Sequence, residues 1–224
     1  MSIAENVKRI RAELPAGVLL VAASKMNGPE AVREAVAAGV DACGENRVQE
    51  LVEKNAAGAY AGAKLHFIGH LQRNKVRQVV GVCDLIQSVD SLELLTLIEK
   101  RAAALGIRQD VLLEVNIGGE AAKSGVAPEE LETLLLAASP LEHLRVRGLM
   151  TVPPVCSSGD EARRYFSAMY KLYVDIGQKK YDNICMDFLS MGMSADYREA
   201  VLEGANMVRV GTAIFGARDY ARAQ

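Results

Sequence analysis

The hydrophobic positions of the chain fall into two alternating kinds of segment. Short, almost continuous apolar runs such as residues 18–24 are typical of strands that a parallel sheet buries on both faces. Between them lie longer segments whose apolar residues recur at helical spacing. The predicted strands are residues 18–24, 40–43, 65–68, 84–88, 111–116, 144–149, 184–189 and 207–210. The pattern therefore predicts a chain of repeated strand–helix units.

One helix precedes the first strand and lies outside the repeat, over residues 4–14, where Pro15 stops it. The helices of the repeat are predicted at residues 29–38, 46–56, from about 74, from 90 or 91 to a stop at 106, at 128–138, at 160–177 and up to 203. Asn46 and Gln49 are expected to form a capping box at the start of the helix over 46–56.

Strand–helix units of this length imply parallel strands joined by crossover helices. Roughly eight of them predict an α/β fold, a single (β/α)8 TIM barrel with an extra N-terminal helix, with residues 1–224 as one domain. An open doubly wound sheet is the alternative. The barrel is favoured because the first strand lacks a G-x-G-x-x-G turn and polar residues follow many strands rather than one switch point.

Composition narrows the classes of function. The 224 residues are 50% hydrophobic, which is enough for one sizeable core, and the formal net charge is −2. Lysine and arginine are scattered among acidic residues, so we expect no positive field for nucleic acid.

The cysteines and the N-terminal residues indicate the cellular compartment in which the protein is expected to lie. The four cysteines contain no C-x-x-C pair, which favours reduced, mostly buried thiols over a disulfide framework or a zinc site. The first residues are charged and amphipathic, without an apolar export signal, and no later run is long enough to span a bilayer. We therefore expect a cytoplasmic protein that contacts no membrane.

Two stretches near the end of the chain have the pattern of anion-binding turns, residues 189–196 and 206–218. In each, a strand runs into a glycine-containing turn and a helix start, which leaves backbone N–H groups unpaired. Ser194 is expected to cap the helix that ends near Gly204, and Thr212 the helix that follows. In a barrel, the loops after the last two strands commonly bind phosphate. The alternative is that these are ordinary caps and that Gly211 is an ordinary turn residue.

Lys25 directly follows the first predicted strand and would face the same barrel mouth. A lysine in such a place is partly desolvated, which favours the neutral amine that attacks aldehydes. A phosphorylated aldehyde is therefore the expected ligand, and a surface lysine is the alternative. Lys123 could also reach the mouth, although a solvated loop lysine is the simpler interpretation. His66 and His70 have no third ligand nearby in sequence, so we expect no metal.

At these residues the sequence resembles the pyridoxal phosphate homeostasis proteins. The motifs that carry the resemblance are AASK (22–25), GEN (44–46), HFIG (66–69), LQRNK (71–75), VNIGGE (115–120), KSG (123–125), GLM (148–150), LSMGMS (189–194) and VRVGTAIFG (208–216). They run in order through nearly the whole chain. The resemblance implies a barrel similar to the N-terminal domain of alanine racemase that binds pyridoxal 5′-phosphate (PLP).

The resemblance also implies roles for individual residues. Lys25 would form the Schiff base with PLP, and Arg209 would face the pyridine nitrogen. Ser194, Gly211 and Thr212 would hold the phosphate.

Two more positions, Asn46 and Met191, would line the PLP ring by the same resemblance. The chain departs from the family at residues 26–29, where a threonine more usually follows the lysine. The implied function is intracellular PLP, vitamin B6 and amino-acid homeostasis, with PLP-dependent enzymes as possible partners and a monomer as the expected state.

A PLP-dependent amino-acid racemase is the alternative function. Racemisation needs a base on each face of the substrate, and alanine racemase takes the second base from a C-terminal domain, whereas this sequence ends at Gln224. An arginine facing the ring nitrogen also leaves PLP a weaker electron sink. We therefore expect a non-catalytic binding protein without efficient turnover.

Overall fold

The computed structural model describes residues 1–216, so Ala217 and Arg218 of the second anion-binding stretch lie outside the described residues. The strands are β1 (Leu19–Ala23), β2 (Ala42–Glu45), β3 (Lys64–Phe67), β4 (Leu85–Val89), β5 (Gln109–Glu114), β6 (Leu144–Met150), β7 (Ile184–Ser190) and β8 (Met207–Val210). The helices are α1 (Ile3–Glu13), α2 (Pro29–Ala37), α3 (Val48–Ala56), α4 (Val76–Val79), α5 (Leu92–Leu105), α6 (Leu131–Ala138), α7 (Gly159–Gln178), α8 (Tyr197–Leu202) and α9 (Thr212–Phe215).

The strands form a closed barrel in the order of the sequence, and β1 pairs in parallel with both β2 and β8. Helix α1 lies outside the repeat and contacts α9. Asn6 Nδ2 in α1 donates to the backbone oxygen of Ile214 in α9 at 2.9 Å. The predicted (β/α)8 barrel with an extra N-terminal helix is confirmed.

The barrel interior has an apolar layer followed by a polar one. The apolar layer consists of six buried side chains, Val21, Ala42, Leu85, Leu112, Met150 and Met207. Side chains two residues apart on a strand share a face, so Gln87, Glu114 and Arg209 follow Leu85, Leu112 and Met207 on the inward face. A second core fills the space between the outer face of the barrel and the helices. The polar layer therefore lies at the carboxyl ends of the strands.

The start of α3 differs from the prediction. Strand β2 continues to Glu45, two residues beyond its predicted end, and α3 begins only at Val48. Arg47 is the N-cap residue and makes no side-chain cap hydrogen bond, so the capping box predicted for Asn46 and Gln49 is wrong. Because the strand is longer, Asn46 becomes a strand-end residue instead of a helix cap.

The four cysteines are free thiols in two environments. Cys43 and Cys83 are buried, whereas Cys156 is partly buried and Cys185 is exposed, so the expectation of mostly buried thiols holds for half of them. Burial raises the pKa of Cys43 to about 12. Across residues 1–216, no helix combines the length and the apolar character that crossing a membrane requires.

Candidate functional site

A cavity of about 340 Å³ opens where β1, β2, β7 and β8 end. Its lining residues are Ala23, Lys25, Asn46, Ile68, Val152, Met193, Ser194, Ala195, Arg209, Gly211 and Thr212. The structure therefore brings together six of the seven residues predicted from the sequence. Met191, the seventh, is fully buried in the outer core and does not line the cavity. Met193, two residues later, lines it instead.

Lys25 follows β1 in a tight turn and is partly buried. The backbone N–H of Asn27 donates to the Ser24 oxygen at 3.1 Å, and its side chain donates to the Lys25 oxygen at 3.0 Å. Met26 has a φ of 63°, in the left-handed region, which costs a residue other than glycine roughly 1 kcal/mol. Residues 24–27 therefore form a strained turn that carries Lys25.

The Ser194 side chain connects the loop after β7 to the turn after β8. Its Oγ accepts hydrogen bonds from the backbone N–H groups of Gly211, at 3.0 Å, and Ala213, at 3.2 Å. A hydroxyl has two acceptor lone pairs and one hydrogen, so the O–H of Ser194 is left to donate to a further acceptor. We call Ser194, Gly211 and Ala213 the hydroxyl–amide site.

Neither predicted helix cap is found. Helix α8 has Asp196 as its N-cap residue and α9 has Gly211, and neither residue makes a side-chain cap hydrogen bond. Ser194 lies beside β8 because the backbone oxygen of Gly192 accepts from Arg209 N at 3.0 Å. The Ser194 hydroxyl therefore contacts Gly211 and the first turn of α9 rather than the start of α8.

A chain of buried hydrogen bonds holds Arg209 in the polar layer. Its guanidinium donates to Ser190 Oγ at 2.7 Å and to the Thr151 backbone oxygen at 2.8 Å. Ser190 donates to Gln87 Oε1 at 2.7 Å, and Gln87 Nε2 lies 2.9 Å from His66 Nδ1. Because the amide nitrogen only donates, His66 Nδ1 accepts. Burial lowers the pKa of His66 to about 4, so this ring is neutral at physiological pH.

Arg209 was predicted from the sequence, whereas the residues that orient it, Ser190, Gln87 and Thr151, were not. The available signal is a polar side chain within or directly after an otherwise apolar strand. That signal does not say which strands meet or which faces point inward, so the hydrogen-bond partners could not be assigned.

Burial shifts the pKa values of the charged groups around the cavity. It lowers the pKa of Arg209 to about 10, against the opposing effect of Glu114 and Asp196. It raises the pKa of Glu114 to about 7, with a further increase from Asp90 and a decrease from Arg209. It also raises the pKa of Asp196. Arg209 therefore remains a cation at neutral pH.

Asn46 has a buried side-chain oxygen, Oδ1, without a hydrogen-bond partner within the described residues. Such groups are rare in folded proteins, because burying an unpaired polar atom costs about 1–3 kcal/mol. The backbone of Asn46 is held against Gly69, where an added Cβ would lie 2.2 Å from the Asn46 backbone oxygen. Asn46 therefore lines the cavity with its backbone held in place, and its buried Oδ1 is unpaired within the described residues.

Lys123 and the histidines lie apart from this cavity. Lys123 lines a neighbouring cavity of about 540 Å³, where its Nζ donates to the Pro153 oxygen at 2.7 Å and pairs with Glu120 at 2.7 Å. The exposed His70 lies 3.7 Å from Asp90. Within residues 1–216, no group of three or more potential ligand side chains is arranged to hold a metal ion.

Two sequence relatives of the chain have the same name. Residues 1–219 match the family described as alanine racemase, N-terminal domain. The chain is 44% identical over 201 residues to a pyridoxal phosphate homeostasis protein of Aquifex aeolicus, across 90% of this chain and 87% of that protein. It is 42% identical over 230 residues to the protein of the same name from Pseudomonas aeruginosa, across 98% and 97% of the two chains.

Solved structures agree with these matches. PipY of Synechococcus elongatus PCC7942, solved with PLP bound, superposes with a TM-score of 0.88 at 36% identity and covers 96% of this chain and 100% of PipY. An alanine racemase of Clostridium difficile 630 shares the fold alone, with a TM-score of 0.75 at 19% identity over 97% of this chain and 60% of the racemase. The chain therefore belongs to the pyridoxal phosphate homeostasis protein family.

Proposed function

We propose that this protein binds pyridoxal 5′-phosphate through a Schiff base on Lys25 and acts in PLP and amino-acid homeostasis without efficient turnover. In support, two relatives are named pyridoxal phosphate homeostasis protein, and PipY was solved with PLP bound. We also propose that residues 1–224 form one domain, which acts as a monomer in the cytoplasm and has PLP-dependent enzymes as its partners.

The observation that carries this proposal is that one cavity holds an amine and a site for an anion. Lys25 lines it from the end of β1, and Ser194, Gly211 and Thr212 line it from the loops after β7 and β8. The hydroxyl of Ser194 has its hydrogen left to donate, which suits a phosphate oxygen. A volume of about 340 Å³ lies within the range of small-molecule sites.

Other residues of the cavity also fit PLP. The unpaired Oδ1 of Asn46 would gain a partner from a hydroxyl group on the ring. Arg209 only donates hydrogen bonds, so it suits an unprotonated ring nitrogen. Bound PLP supplies an aldehyde for covalent attachment and a ring that withdraws electrons. Lys25 provides the attacking amine, and the hydrogen bonds from Arg209 to Ser190 and Thr151 fix its guanidinium.

A titration compares PLP with pyridoxal, which lacks the phosphate. Cofactor-free protein is titrated with each compound, and binding is followed by visible absorbance. PLP should bind more tightly by about tenfold or more, because a hydrogen bond to a charged phosphate contributes roughly 1.5–3 kcal/mol. Equal affinities for the two compounds would contradict the proposed phosphate site.

The homeostasis role has a separate test. Protein loaded with PLP is mixed with an aminotransferase from which PLP has been removed, and recovery of transaminase activity is compared with recovery in free PLP at the same total concentration. Delivery predicts recovery at least as fast as with free PLP. Recovery limited by slow release into solution would indicate storage rather than delivery.

A further inference from the structure

Helix α3 holds the backbone on both sides of Lys25. The Ser24 oxygen, in the peptide before Lys25, accepts from Lys54 Nζ at 2.8 Å. The Met26 N–H, in the peptide after it, donates to Glu50 Oε2 at 2.7 Å. Lys54 and Glu50 also pair with each other at 3.0 Å. Lys54 and Glu50, an ion pair on one helix, therefore hold both peptide groups that flank Lys25 by hydrogen bonds.

The Lys54 ammonium is buried, and each of its three hydrogens has an acceptor. Its side chain is 6% exposed, and its third acceptor is Glu45 Oε1 at 2.7 Å, on a carboxylate that is fully buried. An ammonium has three hydrogens, so its three acceptors, Ser24 O, Glu45 and Glu50, satisfy it completely. Glu45 also accepts from the Tyr60 hydroxyl at 3.1 Å. Charges are costly to bury, and this arrangement depends on all its partners being in place.

We propose that Lys54 and Glu50 are positioning residues that direct Lys25 into the cavity and thereby set the rate of its covalent reaction with PLP. The inference rests on the proposed function. In that reaction the Lys25 nitrogen bonds to the aldehyde carbon, and the aldehyde oxygen leaves as water as the C=N bond forms. The hydroxyl–amide site lies on other elements, so Lys54 and Glu50 act on capture and not on phosphate binding.

The experiment measures capture and phosphate-dependent binding separately in cofactor-free protein. The capture rate is the rate at which PLP becomes covalently attached to Lys25. Samples are quenched with borohydride at successive times, and the modified Lys25 peptide is quantified by mass spectrometry. Binding is the affinity for pyridoxine 5′-phosphate, which carries the phosphate but no aldehyde. Lys54→Met and Glu50→Ala should slow capture by about tenfold or more, since small misplacements of a reacting group are costly. Their affinity for pyridoxine 5′-phosphate should stay at the wild-type value.

Two variants separate positioning from stability. Tyr60→Phe removes one of the hydrogen bonds that Glu45 Oε1 accepts but leaves the bonds to the Ser24 oxygen and from the Met26 N–H in place, so it should capture PLP at the wild-type rate. Glu50→Gln keeps an oxygen for the Met26 N–H, and it should capture PLP faster than Glu50→Ala. Where Lys54→Met does not fold, the two Glu50 variants decide the question.

Wild-type capture rates in Lys54→Met and Glu50→Ala would overturn the inference. Equal losses of capture and of pyridoxine 5′-phosphate binding would also overturn it, because they would indicate a general structural role. Failure of the wild-type protein itself to capture PLP would instead contradict the proposed function, and the two failures are thus distinguishable.

Discussion

At the scale of single residues, the hydroxyl–amide site predicts how tightly PLP is held. Ser194→Ala removes the hydroxyl that we propose as a phosphate donor and should weaken PLP retention by about tenfold to a hundredfold, and Thr212→Ala should act in the same direction. The double variant should nearly empty the site. Retention is measured as bound PLP after dialysis against phosphate buffer.

Ser139→Ala is the matched control, since the Ser139 hydroxyl donates to the Asp182 oxygen on the protein surface. It should retain PLP at the wild-type level. Undiminished retention in the Ser194 and Thr212 double variant would place the phosphate elsewhere.

A second residue-scale prediction concerns Glu114, whose pKa burial raises from 4.5 to about 7. The folded protein holds this proton more tightly than the unfolded chain does. The contribution of Glu114 to the free energy of unfolding is therefore complete below about pH 4.5 and lost as the pH rises through about 7. Glu114→Gln should remove this loss, so its free energy of unfolding relative to wild type should rise by up to about 3 kcal/mol over that range.

Urea unfolding of the cofactor-free protein at both ends of the range measures the difference. Glu129→Gln, at an exposed glutamate, should follow the wild-type protein at each pH. A Glu114→Gln variant with the same pH dependence as wild type would show that the Glu114 carboxyl does not titrate in this way.

The position of a residue at the barrel mouth could be predicted from the sequence where its place along a strand decides it. Lys25, Ser194 and Arg209 follow or end apolar strands, and parallel strands in a barrel end at the same mouth. Lys54 could not be predicted, because a lysine within a helix is normally solvated. Only the packing of α3 against the end of β1 buries it and gives it partners.

At the scale of elements, the close approach of the segments after β2 and β3 predicts the effect of Gly69→Ala. The added Cβ would lie 2.2 Å from the Asn46 backbone oxygen and 2.6 Å from its Cα. Backbone atoms cannot swing aside, so the variant should lose about 1–3 kcal/mol of stability by overpacking. Displacement of Asn46 should also weaken PLP binding.

Gly177→Ala, in α7, is the control for this variant, because an added Cβ at Gly177 meets only the Met186 side chain, at the ordinary contact distances of 3.6 and 3.7 Å. Thermal unfolding and PLP titration are measured for both variants. Wild-type PLP binding by Gly69→Ala would show that the contact between these two segments does not position the ring-lining residues.

Element boundaries were predictable only in part, for physical reasons. The strand predicted at residues 18–24 is β1, one residue shorter at each end, because its apolar run is uninterrupted. The end of β2 was not predicted, because Gly44, Glu45 and Asn46 have no strand preference. Only pairing within the closed barrel extends the strand to Glu45. Asn46 favours a helix cap in isolation, and here the tertiary structure overrides that preference.

At the scale of the whole molecule, the residues around the cavity predict weak racemase activity at most. Within the described part of the chain, Lys25 and Arg209 are the titratable side chains that line the cavity. Racemisation needs a base on each face of the α-carbon, and Arg209 stays protonated at neutral pH. The second base is therefore missing from this cavity.

Exchange of the α-proton of L-alanine in deuterated water, and loss of optical rotation for a panel of amino acids, measure this activity. An authentic alanine racemase is the positive control. Turnover on the order of 1 per second or faster would contradict the binding-protein account and support the racemase alternative.

The most direct test of the central claim is to locate the covalent bond to PLP. The purified protein is incubated with PLP, reduced with borohydride, digested and analysed by mass spectrometry, with Lys25→Ala as the control. The account predicts a visible absorbance band that borohydride removes, and a reduced PLP adduct on the Lys25 peptide that is absent from Lys25→Ala. An adduct on another lysine, or an undiminished visible band in Lys25→Ala, would contradict it.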